Sequence, residues 1–202
     1  MEDAKGSRVP MDTGCIQQKE EDDKLSNNEQ FQSLVGGLLY LSVNTHPDIG
    51  ITASILGRKV TKPTAADWND AKRFLRYLKL NSDVKLQLGN SSDELVGFAN
   101  DDWAGNVNDR KSNSGYLFRL GGGIISWCAR KQPCVALSST EAEYISLAEC
   151  CQELLWLQKL IRDSENLSRN LCVSSKTTKV ALSFSARIQE SNPNTWTQSF
   201  TS

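Results

Sequence analysis

Histidine is almost missing from this chain. His46 is the single one, and six cysteines (Cys15, Cys128, Cys134, Cys150, Cys151, Cys172) are scattered without a C-x-x-C pair, so neither a zinc finger nor a disulfide framework is supported. The thiols read as reduced and buried. Long apolar runs are missing too: none reaches the ~18 residues that span a bilayer, which excludes a transmembrane segment. The opening MEDAKGSRVP has no apolar core ahead of a small-residue cleavage site, so it does not read as a secretory signal, and the expected compartment is intracellular, cytoplasm or nucleus. Excess charge of one sign is also lacking, since 23 Lys and Arg face 24 Asp and Glu. What remains, 39% hydrophobic and 23% charged residues over 202 positions, describes a soluble globular protein of one ordinary domain, or one small domain and part of another.

The near-neutral total conceals a segregation. Residues 57–85 carry eight Lys or Arg against Asp67, Asp70 and Asp83, whereas residues 1–30 lean acidic and polar and lack a periodic apolar face. Residues 1–30 are expected to be a flexible acidic segment. Phe31, Leu34, Val35, Leu38 and Leu41 recur at helical spacing and predict a helix over 29–44, with Gly36 and Gly37 open to the close approach of another helix. Thr64, followed three residues later by Asp67, predicts a capped helix start and a helix from 65 to about 80. On that helix Trp68, Ala71, Phe74, Leu75 and Leu78 share one arc, and Lys72, Arg73, Arg76 and Lys79 an adjacent one. The basic arc suits phosphate contact, or equally an ordinary surface whose basic stems cover apolar edges.

Beyond Gly89, ELVGFAN, GYLFRL and GIISWCAR are short runs rich in β-branched and aromatic residues, and they predict three strands. The last two, joined around Gly121-Gly122-Gly123, form an antiparallel hairpin. From Ser139 to about Ile161 the pattern is helical, with Ala142, Ile145, Ala148, Leu155 and Trp156 among its apolar positions. The first strand ends in Asp101 and Asp102, and Glu141 lies in the first turn of the last helix. Carboxylates delivered from such separate elements can converge on divalent cations, for which oxygen ligands suit Mg2+ or Mn2+. The plainer alternatives are a solvated turn for the aspartates and, in Ser138-Ser139-Thr140-Glu141, a capping box that occupies the glutamate.

Taken together, FQSLVGGLLYLSVNTHPDIG, DWNDAKRFLRYLK, GFANDDWAGNVNDRKSNSGYLFRLGGGIISWCARKQ and VALSSTEAEYISLAE resemble successive landmarks of the Pol polyprotein of copia-type long-terminal-repeat retrotransposons. They span roughly residues 31–163 and correspond to the end of the reverse transcriptase region followed by the ribonuclease H domain. The resemblance implies an α/β fold: a helical N-terminal segment (31–88, a remnant of the reverse transcriptase C-terminal region) followed by an incomplete ribonuclease H-like mixed sheet with helices (89–163). It also implies cleavage of RNA in RNA–DNA hybrids with two magnesium ions. Where the family reads Y-A-D-A-D-W-A-G, this chain has Phe98-Ala99-Asn100-Asp101-Asp102-Trp103-Ala104-Gly105, so Asn100 replaces the first catalytic aspartate. The resemblance leaves Glu141 as the catalytic glutamate, with Asp102 and Glu141 as metal ligands and Asp101 as a further catalytic carboxylate. The polymerase palm with its paired aspartates is absent from the sequence.

The family's later landmarks, E-D-N-Q-S with a third catalytic aspartate and then K-H-I-D, are absent. Residues 164–202 are Ser- and Thr-rich, with Glu165 and Glu190 as their only acids. Read one base earlier with suitable synonymous codons, Ser174–Ala181 encodes Phe-Glu-Asp-Asn-Gln-Ser-Cys, and Asn192–Ser199 arises from Pro-Lys-Tyr-Met-Asp-Thr-Lys. A frameshift between about 161 and 174 therefore accounts for the tail, which is expected to be disordered and to lack the strand that a complete domain places beside strand one. The favoured reading is a truncated retrotransposon fragment, catalytically impaired, with weak salt-dependent affinity for nucleic acid through Lys72, Arg73, Arg76 and Lys79, joined by Arg110 and Lys111. The alternatives are an active two-metal endonuclease and a host-adopted protein-interaction module.

Overall fold

The computed structural model describes residues 5–11, 25, 28–89, 95–102, 104–106, 109–168 and 178–180. They fall into two compact units. One comprises the described part of residues 1–85 with Gly105, Asn106, Asp109 and Arg110, and the other the described part of 86–104 and 111–185.

The first unit is helical. Helix α1 (Glu29–Asn44) has the predicted bounds, and its buried residues Phe31, Val35 and Leu38 follow the i, i+4, i+7 rhythm of one helical face. A 3-10 turn at Pro47–Ile49 leads into α2 (Gly50–Arg58), and α3 (Ala65–Leu80) completes the unit. Ile49, Ala53, Leu56, Ala71 and Phe74 close a continuous apolar core over α1. The capping box at the start of α3 forms as predicted: Asp67 N–H donates to Thr64 Oγ1 at 3.2 Å and Thr64 N–H to Asp67 Oδ2 at 2.9 Å. Asp67 also accepts from Lys59 Nζ at 2.5 Å, with both side chains largely out of solvent. Tyr77, outside the predicted apolar arc, is buried because its hydroxyl finds Asp48 Oδ2 at 2.9 Å.

One expectation changes here. Gly36 and Gly37 are exposed, and nothing described lies within 4 Å of a Cβ placed on either; at Gly57 of α2 such a Cβ would make only an ordinary van der Waals contact with the Leu39 side chain, at 3.6 Å. The described parts of the 1–30 segment also have packed roles. Ser7 N–H donates to Arg76 O at 3.3 Å, Leu25 N–H to Pro63 O at 3.0 Å, and Met11 is buried against Ile55. Isolated apolar residues such as Met11 and Leu25 carry no period, so pattern reading passes over them. The remainder of 1–30 lies outside the described residues.

The second unit is a sheet and a helix. Strands β1 (Leu95–Asp102), β2 (Asn113–Leu120) and β3 (Gly123–Lys131) are the three predicted strands, the last two joined as the predicted hairpin; β1 also pairs antiparallel with β2, making a meander, and helix α4 spans Ser139–Ser168. Leu120 pairs with Gly123, so the hairpin loop is Gly121-Gly122, with φ of 59° and 82°, the positive values that a twist-matched two-residue turn demands. Gly97 faces Phe118, whose ring a Cβ there would strike. Leu95, Phe118, Cys150 and Leu157 form the buried cluster between sheet and helix.

Helix α4 runs seven residues past its predicted end near Ile161, because no Pro or Gly interrupts the chain there. A three-residue strand β4 (Thr178–Val180) pairs in parallel with Leu95–Gly97, so the sheet order is β3-β2-β1-β4 and the sheet is mixed. The expectation that nothing from the tail lies beside strand one is thereby corrected. A strand at the edge of a sheet presents a row of backbone N–H and C=O groups, and pairing to such an edge demands no specified side-chain pattern. Residues 169–177 and 181–202, where the rest of the tail expectation falls, lie outside the described residues.

Candidate functional site

The end of β1 presents Asn100, Asp101 and Asp102 in succession, and alternation along the strand gives them different surroundings. Asp102 is tied to the neighbouring strand: Asn113 donates to its carboxylate from both the backbone N–H and, at 2.8 Å, Nδ2. These bonds fasten the mouth of the β1–β2 ladder. Asp101 lies on the side of the sheet that carries Leu95 and Ala99, the side packed by α4. There its carboxyl is pushed up to about 6, first by burial and then by the charges of Glu143 and Asp102. Directly after the strand Ala104 adopts φ 51°, unusual for a residue with a Cβ, and its N–H donates to the buried Ser112 Oγ at 3.0 Å.

The helix carboxylate sharing Asp101's field is thus Glu143. Glu141 is engaged at the helix start, where its Oε2 accepts from Leu137 N–H at 2.7 Å and its own N–H donates to Ser138 Oγ at 3.1 Å. The Ser138 half of the capping box that the sequence allowed is formed, while the glutamate reaches one residue further back, to Leu137 instead of Ser138. Geometry explains the difference: at ~100° per residue Glu143 points within ~20° of Cys150, on the sheet-facing seam, while Glu141 points ~180° away from it. The seam Ala142, Ser146, Cys150, Leu157 is the sequence signal that singles out Glu143. Leu155 and Trp156, apolar but 66% and 56% exposed, mask it.

Two buried polar side chains hold this end of α4 on the sheet. Gln132 Nε2 donates to Ser114 Oγ at 2.8 Å and to Ala142 O at 3.0 Å, and Ser146 Oγ donates to Asn100 O at 2.7 Å. Farther along, Ser126 Oγ donates to Glu153 Oε1 at 2.6 Å and Arg130 pairs with Glu149 at 2.9 Å. Tyr116 and Cys128, beside these groups, are both held above their ordinary ionisation range, chiefly by burial.

Among the described residues no three His, Cys, Asp or Glu side chains are grouped to hold a metal ion. The two-ion arrangement has no matching donor set among them.

Of the basic residues on α3, Lys72, Arg73 and Arg76 are half-buried and Lys79 is exposed, so the stems of the first three cover the edge of the core. Arg110 is exposed, with φ 56° and its N–H bonded to Asn106 O at 2.7 Å. Its neighbour Lys111 donates from Nζ to Pro133 O at 2.6 Å. Arg110 belongs to the helical unit and Lys111 to the sheet unit. No helix of the described residues is long and apolar enough to cross a membrane.

A meander of three antiparallel strands, a long helix across it and carboxylates at the end of the leading strand define an α/β protein with an acidic strand-end site. The comparisons with known proteins give it a family. The chain is 44% identical over 131 residues to secreted RxLR effector protein 161 of Plasmopara viticola, a match covering 64% of this chain and 92% of the effector. It is 41% identical over 133 residues to the retrovirus-related Pol polyprotein from transposon TNT 1-94 of Nicotiana tabacum, covering 66% of this chain and 10% of the polyprotein. It is 37% identical over 162 residues to that from transposon RE2 of Arabidopsis thaliana, covering 79% and 11%. No family model and no solved structure matches. The chain belongs to the family of copia-type retrotransposon Pol polyproteins, and it spans about a tenth of the length of the polyproteins but nearly all of the effector.

Proposed function

We propose that the chain is a ribonuclease H-type fragment of a retrotransposon Pol polyprotein that has kept affinity for RNA–DNA hybrid and lost most of its hydrolytic capacity. The observation that carries this reading is the state of the carboxylates. Asn100 stands where the family pattern has its first aspartate, Asp102 is bonded to Asn113, Glu141 caps α4, and Asp101 with Glu143 is what remains. A strand parallel to β1, reached after the long helix, supports the ribonuclease H-like assignment. Because the donor set does not fit two cations, no hydrolytic step is assigned to it.

Hybrid binding rests on the basic arc of α3, whose Lys72, Arg73, Arg76 and Lys79 can approach phosphates while their stems stay packed, with Arg110 as an addition. In the test, the purified chain is assayed on an RNA–DNA hybrid in Mg2+ and in Mn2+. No more than trace cleavage is expected, and robust turnover abolished by Glu143→Gln would overturn the impairment. Replacing the four basic residues of α3 by glutamine is expected to weaken hybrid binding alike for every sequence and to flatten its salt dependence by up to about 0.9 for each phosphate no longer neutralised. Unchanged binding would remove nucleic acid as the partner. The 92% coverage of the effector favours a second reading, a free-standing binding protein without hydrolytic function. That reading takes over if neither cleavage nor hybrid binding is found.

A further inference from the structure

We infer that Gln132 and Ser146 are positioning residues for the Asp101–Glu143 pair, an inference that rests on reading that pair as the remnant of the site. The two side chains act on successive rungs of one ladder. Asn100 pairs with Gly115, and Ser146 Oγ lies over that rung, 2.7 Å from Asn100 O and 3.3 Å from Gly115 O. Asp101 pairs with Ser114, and Gln132 Nε2 is 2.8 Å from Ser114 Oγ. On the helix, the anchor points are Ala142 O, which accepts from Gln132 at 3.0 Å, and the side chain of Ser146 itself. Glu143 therefore sits within a single helical turn tied at both ends to the rungs that carry Asn100 and Asp101.

The chemistry of the amide fixes its orientation. A backbone carbonyl only accepts, so the nitrogen of Gln132 must face Ala142 O, and the opposite amide oxygen is then buried with no partner among the described residues. An unsatisfied buried acceptor is costly, and an apolar residue of similar length would avoid that cost. Fold stability alone therefore gives a poor account of a glutamine at a position 1% exposed. Holding two half-buried like charges together against their repulsion gives a better one: without a fixed helix start, Glu143 can swing away from Asp101 toward water.

The test measures whether the carboxylates sense each other through this clamp. Asp101→Asn, Glu143→Gln and the double variant are made in the full chain, and the non-additivity of their denaturation midpoints gives the coupling of the pair. The cycle is then repeated with Ser146→Ala, a small excision that keeps the helix, and separately with Gln132→Met, which keeps the volume. The coupling is expected to fall by more than half in both backgrounds. Coupling that persists unchanged while the clamp variants merely lower the midpoint would overturn the inference, since a purely structural role moves stability and leaves the coupling alone. Absence of coupling in the unaltered background would instead sink the reading of Asp101 and Glu143 as a pair, and the positioning role with it.

Discussion

The helical unit and the sheet unit are stabilised by different means. In the first, Phe31, Val35, Leu38, Leu56 and Phe74 make one continuous apolar core, and its polar contacts include the local Lys59–Asp67 pair with Thr64, eight positions apart, and a longer-range side-chain bond, Tyr77 to Asp48. In the second, the buried apolar cluster is smaller, and helix and strands are joined by hydrogen bonds between residues far apart in sequence: Gln132 to Ser114, Ser126 to Glu153, Ser146 to Asn100. Apolar burial is non-directional and tolerates shifts of a side chain, whereas each polar contact fixes a donor on an acceptor. The unit that carries the carboxylates is thus the one whose helix is fixed in direction as well as buried.

The largest effect expected from this contrast is in the helical core. Phe74→Ala should cost about 3–5 kcal/mol, as the loss of a fully buried ring usually does, read from chemical denaturation together with faster amide exchange in α1 and α3. A cost below about 1 kcal/mol would mean that the apolar core is not the main stabiliser of that unit.

The local polar device comes next. Asp67→Asn keeps an acceptor for the Thr64 N–H but takes the counter-charge of Asp67 away from the Lys59 ammonium, whose side chain is 10% exposed. A loss of about 3 kcal/mol is expected, against about 1 kcal/mol for Thr64→Ala, which removes only the cap. Equal losses in the two variants would show that Asp67 works as a cap alone and that its pairing with Lys59 adds nothing.

Much of the fold was legible because its signals are local. The bounds of α1 and α3, the Thr64 cap and the glycine hairpin each follow from residues within a few positions of one another. Tyr77 escaped because its burial depends on Asp48, twenty-nine positions away. Strand β4 escaped because backbone pairing to an exposed edge demands little of the sequence. At the candidate site, the position of the aspartates at a strand end was legible, and the engagement of Glu141 at the helix start was visible as an alternative in Ser138–Glu141. Glu143 was not found, since its relevance depends on which face of α4 meets the sheet. That face is marked by Ser146 and Cys150 more than by the large apolar residues, several of which point outward. Gln132 carries no local signal at all; both of its partners lie ten or more residues ahead of or behind it.

The smallest effect tests whether the sheet unit keeps a residual strain at its carboxylates. In the folded chain Asp101 holds its proton up to about pH 6, against the ordinary 3.8, so between these values the native state binds more protons than the unfolded chain. Its contribution to stability must therefore decline as pH rises from about 4 to about 6, and the penalty is fully present above that range. Asp101→Asn should remove this slope, leaving the variant matched to the parent near pH 4 and more stable near pH 7. Because the carboxyl is half-exposed, screening should keep the gain under about 1 kcal/mol. Glu143→Gln should flatten the slope only in part, since burial outweighs the Glu143 charge among the causes of the shift. Thermal midpoints measured across pH 4 to 8 at low and moderate salt read both effects. A parent midpoint that rises through pH 4–6 as much as in Asp101→Asn would place Asp101 in open solvent and Glu143 out of its reach.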